Sequence, residues 1–183
     1  TLDLISGLGK IAPIYAVSGN HDLWNPDFKK NQSLLAGAGA ILLENTSQTV
    51  QRGADSIRIC GITDPNTLDE TQATACTQAY MQRVQASGGY DILLYHRANL
   101  LDLFAGSGYE LILSGHLHGG QVRLPGFGGI VSPEGRAFPK YGGGVYAIGN
   151  GCTAVVSRGL GNTAIFPRIY DAPELVLVTL HCK

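Results

Sequence analysis

The sequence predicts an α/β layered domain with two sheets, occupying residues 1–183 as a single domain. Three observations carry this. Short apolar runs of strand length alternate with helical segments through the first part of the chain, strands follow one another closely near the end, and four of the five histidines sit at strand ends.

The elements follow in order. Leu2, Ile5 and Leu8 recur at near-helical spacing ahead of Gly9 and Pro13, as in the last turns of a helix. Residues 14–18 (IYAVS) are a short apolar strand that runs into the polar tetrapeptide Gly19-Asn20-His21-Asp22. Asn25 and Pro26 predict a helix cap and first helical residue, and that helix should end near residues 37–39. Residues 40–43 and 56–62 read as strands, and the polar stretch 46–53 between them has room for another. Thr67-Leu68-Asp69-Glu70 matches a capping box. Beyond it, Ala73, Cys76, Tyr80 and Val84 form an apolar stripe that Gly88 should stop. Residues 90–95 (YDILLY) are a strand delivering His96, and 109–114 (YELILS) a strand delivering His116 and His118, with a short helix at 100–104 between them. From 119 to 144 the chain is rich in Gly and Pro and has no period, which predicts loops. Residues 145–148, 153–157 and 175–180 close the sequence as strands.

Bulk composition excludes several classes. The 183 residues suffice for a sizeable core, and 44% hydrophobic against 15% charged residues excludes a disordered chain. A net charge of −1 argues against a nucleic-acid backbone as the main partner, so a phosphate-bearing ligand must be held locally. Cys60, Cys76, Cys152 and Cys182 are widely spaced without a C-x-x-C pair and read as free thiols. The compartment is left open. No G-x-S-x-G elbow points to a nucleophilic serine.

Chemistry concentrates where strands end. Ligands of open α/β sheets gather beyond the carboxyl ends of strands, where Asn20, His21, His96, His116 and His118 fall and His181 does not. An amide oxygen and imidazoles can together hold a hard or borderline cation. In Ser114-Gly115-His116-Leu117-His118-Gly119-Gly120 the two histidines alternate around one residue, and whether they face one ion or two is left open by the spacing. Asp22 is placed to orient the His21 imidazole by accepting its second N–H. Taken singly, each histidine could equally be a satisfied, partly buried side chain; the ordered set is what points to a site.

The set GNHD (residues 19–22), LLYHR (93–97) and GHLHGGQ (115–121) resembles the calcineurin-like metallophosphoesterases. VRLPG (122–126), FPKY (138–141), SRGLG (157–161) and PELVL (173–177) resemble the YkuE/YaeI-like bacterial branch of that superfamily. The resemblance implies a two-sheet sandwich flanked by helices. It implies that Asn20, His96 and His116 bind one divalent ion and His118 another, and that His21 contacts the substrate phosphate and acts as general acid, steadied by Asp22. The implied activity is metal-dependent hydrolysis of a phosphodiester or phosphomonoester by activated water. One departure is Arg97-Ala98-Asn99 after His96, where the branch often carries proline and an acidic residue.

The superfamily's Asp-x-His and Gly-Asp-x-x-Asp motifs are absent: upstream of Asn20 stand one carboxylate, Asp3, and no histidine. The expectation is therefore the C-terminal two-thirds of such a domain, incomplete at its N-terminus. Two ions (Mn, Fe, Zn or Ni) are expected in the intact protein, at most one in this fragment, and the fragment alone should be inactive and prone to self-association through exposed edges. The substrate is expected to be a small phosphate ester, lipid- or nucleotide-linked, and the full-length protein is expected at the membrane or cell envelope. The loop with Phe127, Phe138 and Tyr141 could cover an apolar substrate portion, and Lys140 and Arg158 could meet phosphate oxygens, although ordinary packing and solvation explain them as well. The alternative is a non-catalytic metal-binding or interaction domain that lacks the first motifs.

Overall fold

The computed structural model describes residues 2–133, 135–161 and 167–181, so Thr1 and Cys182 lie outside the described residues. The chain runs α1 (Leu2–Leu8), β1 (Ile14–Ala16), α2 (Asn20–Trp24), α3 (Phe28–Gly37), β2 (Ala40–Leu42), β3 (Thr46–Arg52), β4 (Asp55–Ile62), α4 (Glu70–Met81) and β5 (Tyr90–Arg97). A 3-10 helix (Ala98–Phe104) leads to β6 (Leu111–Gly115), and a 3-10 turn (His118–Gly120) to the ribbon β7 (Arg123–Leu124) and β8 (Gly128–Gly129). The last strands are β9 (Gly144–Gly149) and β10 (Cys152–Val156).

The architecture is mixed α/β. A six-stranded sheet has the order β3-β4-β5-β6-β10-β9, and β1 pairs with β2 in a second, two-stranded sheet. The central strands β4, β5, β6 and β10 are parallel, with antiparallel β3 and β9 at the edges. Parallel registry sends their carboxyl ends the same way: Ile62 pairs with Tyr95, and Arg97 with Gly115. Residues 63–64, 96–97 and 115–116 therefore gather along one edge.

Strand β5 alternates as a half-buried strand should, burying Asp91, Leu93, Tyr95 and Arg97. Its apolar members join Ile62, Leu101, Phe104, Ile112 and Val156 in the core. The Tyr95 and Phe104 rings lie 5.0 Å apart. The Tyr95 hydroxyl meets Thr77 Oγ1 at 2.8 Å, and Thr77 Oγ1 donates to the Ala73 carbonyl at 2.7 Å, which ties α4 to the sheet through a satisfied buried pair. Cys60, Cys76 and Cys152 are free thiols.

Several expectations are corrected. The α4 cap is Asp69, which accepts from the Gln72 N–H at 2.8 Å; Thr67 Oγ1 accepts from the Asp69 N–H at 3.1 Å and builds the turn before it. The helix ends at Met81, so Val84 is buried beyond it. Asn25 closes α2, and Asn25 Oδ1 accepts from the Asp27 N–H at 2.9 Å, which moves the start of α3 to Phe28. Residues 175–180 form no strand: they join no ladder, and Leu175 and Leu177 are 87% and 89% exposed. An apolar, β-favouring run becomes a strand only when another strand takes its hydrogen bonds. No helix among the described residues is long and apolar enough to cross a membrane.

One buried ion pair ties two strand ends together. Arg97 donates from Nε to Asp64 Oδ2 at 2.8 Å and from Nη2 to Asp64 Oδ1 at 3.0 Å, both side chains being almost fully buried. Arg97, where the motif resemblance breaks off, thus has a buried carboxylate partner. Removing one member of such a pair costs about 3–5 kcal/mol, because the other charge is left buried alone. Arg97→Met should therefore lower the unfolding free energy in urea by that amount, and Arg97→Met with Asp64→Leu should recover most of the loss.

Candidate metal centre

The site begins with a close approach between layers. A Cβ on Gly61 of β4 would lie 2.2 Å from the Leu43 carbonyl oxygen and 2.7 Å from Val17 Cγ1, so the β1–β2 layer can sit on the large sheet only where residue 61 has no side chain. A Cβ on Gly19 would lie 2.8 Å from His96 Cε1. These two contacts bring the start of α2 against the end of β5.

There Asn20, His96 and His116 meet. Asn20 Oδ1 lies 2.8 Å from His96 Nε2 and 3.2 Å from His116 Nδ1, and the two ring nitrogens are 3.2 Å apart. Asn20 and His116 are buried and His96 is partly buried. Two imidazole nitrogens facing each other at this distance need a shared N–H or a cation between them. Donors held about 2.0–2.2 Å from a common ion are about 2.8–3.1 Å apart at right angles and about 3.3–3.6 Å apart in a tetrahedron. The observed edges of 2.8, 3.2 and 3.2 Å fall at and between these ranges, and the donor set fits a divalent cation.

Local structure prepares these donors. The β5–β6 register shifts between Leu94 and Arg97, and Ser114 Oγ donates to the His96 carbonyl at 3.1 Å, so the ladder loosens where the His96 ring turns toward the site. Burial first, then the nearby His116, with smaller contributions from Arg97 and His118 and an opposing pull from Asp64, together push the His96 imidazole down to about 3. A neutral imidazole with a free lone pair is the ligand form.

The other expected residues are placed differently. His118 opens the 3-10 turn after β6, outside the triangle but close enough to act on His96 electrostatically. His21 is exposed, its ring edge-on to Trp24 with centroids 5.1 Å apart. Asp22 does not steady His21. Its Oδ2 accepts from the Gly19 N–H at 2.8 Å, because a carboxylate three residues into the turn reaches back to the unsatisfied amide there. Among the described residues no third His, Cys or carboxylate joins His96 and His116 in a metal-binding group; the side chain within reach of both rings is the Asn20 amide.

Sequence reasoning missed Glu44 and Asp64. Glu44 Oε1 accepts from the Ser18 N–H at 3.1 Å and bonds the Ser18 hydroxyl, while its Oε2 accepts from Thr63 Oγ1 at 2.7 Å, locking the β1 exit to the β4 exit. Asp64 was detectable as the carboxylate two residues past the strand at 56–62; Glu44 carried no local signal. Lys140 pairs with Asp102 at 2.8 Å and Arg158 with Glu174 at 2.7 Å. Phe127 and Phe138 are exposed and Tyr141 is buried.

No family model matches the chain. The chain is 30% identical to the Bacillus subtilis uncharacterized metallophosphoesterase YkoQ over 182 residues, 97% of this chain and 63% of that one. It is 30% identical to the B. subtilis uncharacterized metallophosphoesterase YkuE, covering 90% of this chain and 54% of that one. It is 26% identical to the Escherichia coli phosphodiesterase YaeI, covering 97% of this chain and 62% of that one. The chain therefore spans less than two-thirds of the length of each of these three relatives.

Two outcomes follow from the geometry. In chelator-treated protein the unfolded chain takes up a proton at His96 below about pH 6.5, whereas the folded chain refuses it until about pH 3. Stability present above pH 6.5 should thus fall as pH drops toward 3, and His96→Gln should flatten that slope in urea titrations at pH 7.5, 5.5 and 4.5. Gly19→Ala drives a methyl group into the His96 ring and should weaken divalent-ion binding by at least about tenfold in calorimetry, as displaced ligand geometry does.

Proposed function

We propose, from the premise that this chain belongs to the metallophosphoesterase superfamily, that Asn20, His96 and His116 form one metal half-site of a phosphoric-ester hydrolase. The observation that carries this reading is the triangle of Asn20 Oδ1, His96 Nε2 and His116 Nδ1 at 2.8, 3.2 and 3.2 Å. When bound, a divalent ion supplies Lewis acidity toward water and phosphoryl oxygens.

The chain's own residues divide the remaining work. The buried Asn20 amide and His116 imidazole, with His96, hold their donor atoms fixed and partly shielded from solvent. His21, exposed one residue beyond Asn20, binds a phosphate oxygen and delivers its proton to the leaving oxygen as general acid. The Trp24 ring limits the arc through which that imidazole can swing. His118 is the protein's contribution to a second ion, and the dinuclear site of the whole protein requires carboxylates beyond Asp3.

The substrate is a small phosphate ester with a lipid- or nucleotide-linked leaving group, consistent with the naming of YaeI as a phosphodiesterase. Membrane association of the whole protein and self-association of this chain through its fully exposed edge strand β3 belong to the same reading. A second reading is favoured by one observation: no carboxylate joins the triangle among the described residues, which suits a module that binds a metal without catalysis.

The 183-residue chain should bind a single Mn²⁺ or Co²⁺ per molecule by calorimetry, lose that binding in His96→Ala with His116→Ala, and hydrolyse bis-p-nitrophenyl phosphate no faster than the blank. A chain extended to include the family's first motifs should hydrolyse it with Mn²⁺ and lose the activity with His21→Ala. An extended protein that binds the ion but stays inactive across several divalent ions would establish the binding module instead.

A further inference from the structure

The turn that follows β6 is conformationally costly and is held from a distant part of the chain. His116, His118, Gly119, Gly120 and Gln121 have φ of 71, 48, 68, 80 and 56°, all in the left-handed region. For histidine and glutamine that region is unfavourable, so the surroundings must enforce it. Three short bonds lie within the turn: Gly120 N–H to the Leu117 carbonyl at 2.7 Å, Gln121 N–H to the His118 carbonyl at 3.0 Å and Val122 N–H to the Gly120 carbonyl at 2.6 Å.

Residues 168–171 press on it from outside. Arg123 N–H donates to the Ile169 carbonyl at 2.9 Å and Ile169 N–H to the Gln121 carbonyl at 3.0 Å, which clasps the two segments side by side. Asp171 then reaches under the turn. Its side chain is fully buried, and a Cβ on Gly119 would lie 2.1 Å from its Oδ1. Three arginines surround this single carboxylate. Arg168 Nη1 donates to Oδ2 at 2.8 Å, while Arg158 Nη1 and Arg123 Nε stand 3.6 and 4.0 Å from Oδ1. Oδ1 receives no hydrogen bond and faces the Gly119 backbone. Arg123 closes the loop by donating from Nη1 to the Gly119 carbonyl at 3.0 Å. Arg168 Nη2 also donates to the Arg158 carbonyl at 2.7 Å.

We infer that Asp171 is a positioning residue for the metal half-site: with Arg123, Arg158 and Arg168 it clamps the Gly119 backbone and thereby fixes the His116–Gln121 turn that aims both motif histidines. A carboxylate this deep needs cationic partners, and this one sits directly against Gly119, where a Cβ would lie 2.1 Å from its Oδ1. The inference rests on the half-site reading for its functional consequence but not for the clamp itself.

Hydrogen–deuterium exchange separates the two. In chelator-treated Asp171→Asn, amides of peptides spanning residues 117–123 should exchange at least about tenfold faster while those of β5 stay unchanged, and Co²⁺ affinity should fall about 10–100-fold, as loss of an outer-shell partner does. If Asp171→Asn also loses β5 protection, Arg123→Gln, which removes the Gly119 carbonyl bond at a partly exposed position, should loosen the same turn selectively. Unchanged protection of the turn in the variant that keeps its β5 protection overturns the clamp. A loosened turn with wild-type Co²⁺ affinity overturns the positioning role. Failure of the wild-type chain to bind Co²⁺ overturns the half-site reading and leaves the exchange result to judge the clamp.

Discussion

The structure depends on one contact, the seating of the Gly19–Asn20 turn against the His96 ring. Strand β5 carries His96 and the six-stranded sheet brings His116 beside it, but neither places an oxygen donor there. That oxygen comes from the β1–β2 layer, whose distance from the large sheet is set by the missing side chain at Gly61. Two absent Cβ atoms thus determine whether three donor atoms converge within 3.2 Å or remain three unrelated polar groups.

Around that contact, polar groups at strand ends are matched by hydrogen-bond partners. Glu44 takes hydrogen bonds from Ser18 and Thr63, and Asp64 forms two with Arg97. Burial of such groups is tolerable only when partners are supplied, and here each pairing also joins two strand exits. The pairs therefore align the exits of β1, β4 and β5, the elements that carry or flank the candidate ligands.

Much of this was legible in the sequence, for identifiable reasons. Apolar runs such as residues 90–95 bury alternate side chains, so period and position survive in the letters. Strand ends were legible as well, and Asn20, His96 and His116 were read together because motif order fixes them on three such ends. What was not legible depended on partners. Residues 175–180 have strand composition but pair with no strand among the described residues. The α4 cap shifted from Thr67 to Asp69 because both side chains can take an amide proton and only geometry chooses. Asp22 went to the Gly19 amide rather than to His21 for a related reason, a nearer and obligatory donor. Glu44 and Asp171 were invisible because their significance lies in contacts across 26 and 52 residues.

The charge of the donor set has a consequence for chemistry. Asn20 is neutral and His96 is held neutral, and the nearby carboxylates Glu44 and Asp64 are committed to hydroxyl, amide and guanidinium partners. A divalent ion held by such donors would keep nearly its full charge. It would therefore be a stronger Lewis acid than one held by carboxylates, but less firmly retained, since charge neutralisation contributes much of the affinity of oxygen-rich sites. Retention would then rest on rigidity, because donors already placed within 3.2 Å of one another lose little ordering entropy on binding. Were a second ion held beside a first, neutral donors could not offset their repulsion, so anionic bridging ligands, and not further histidines, would be needed.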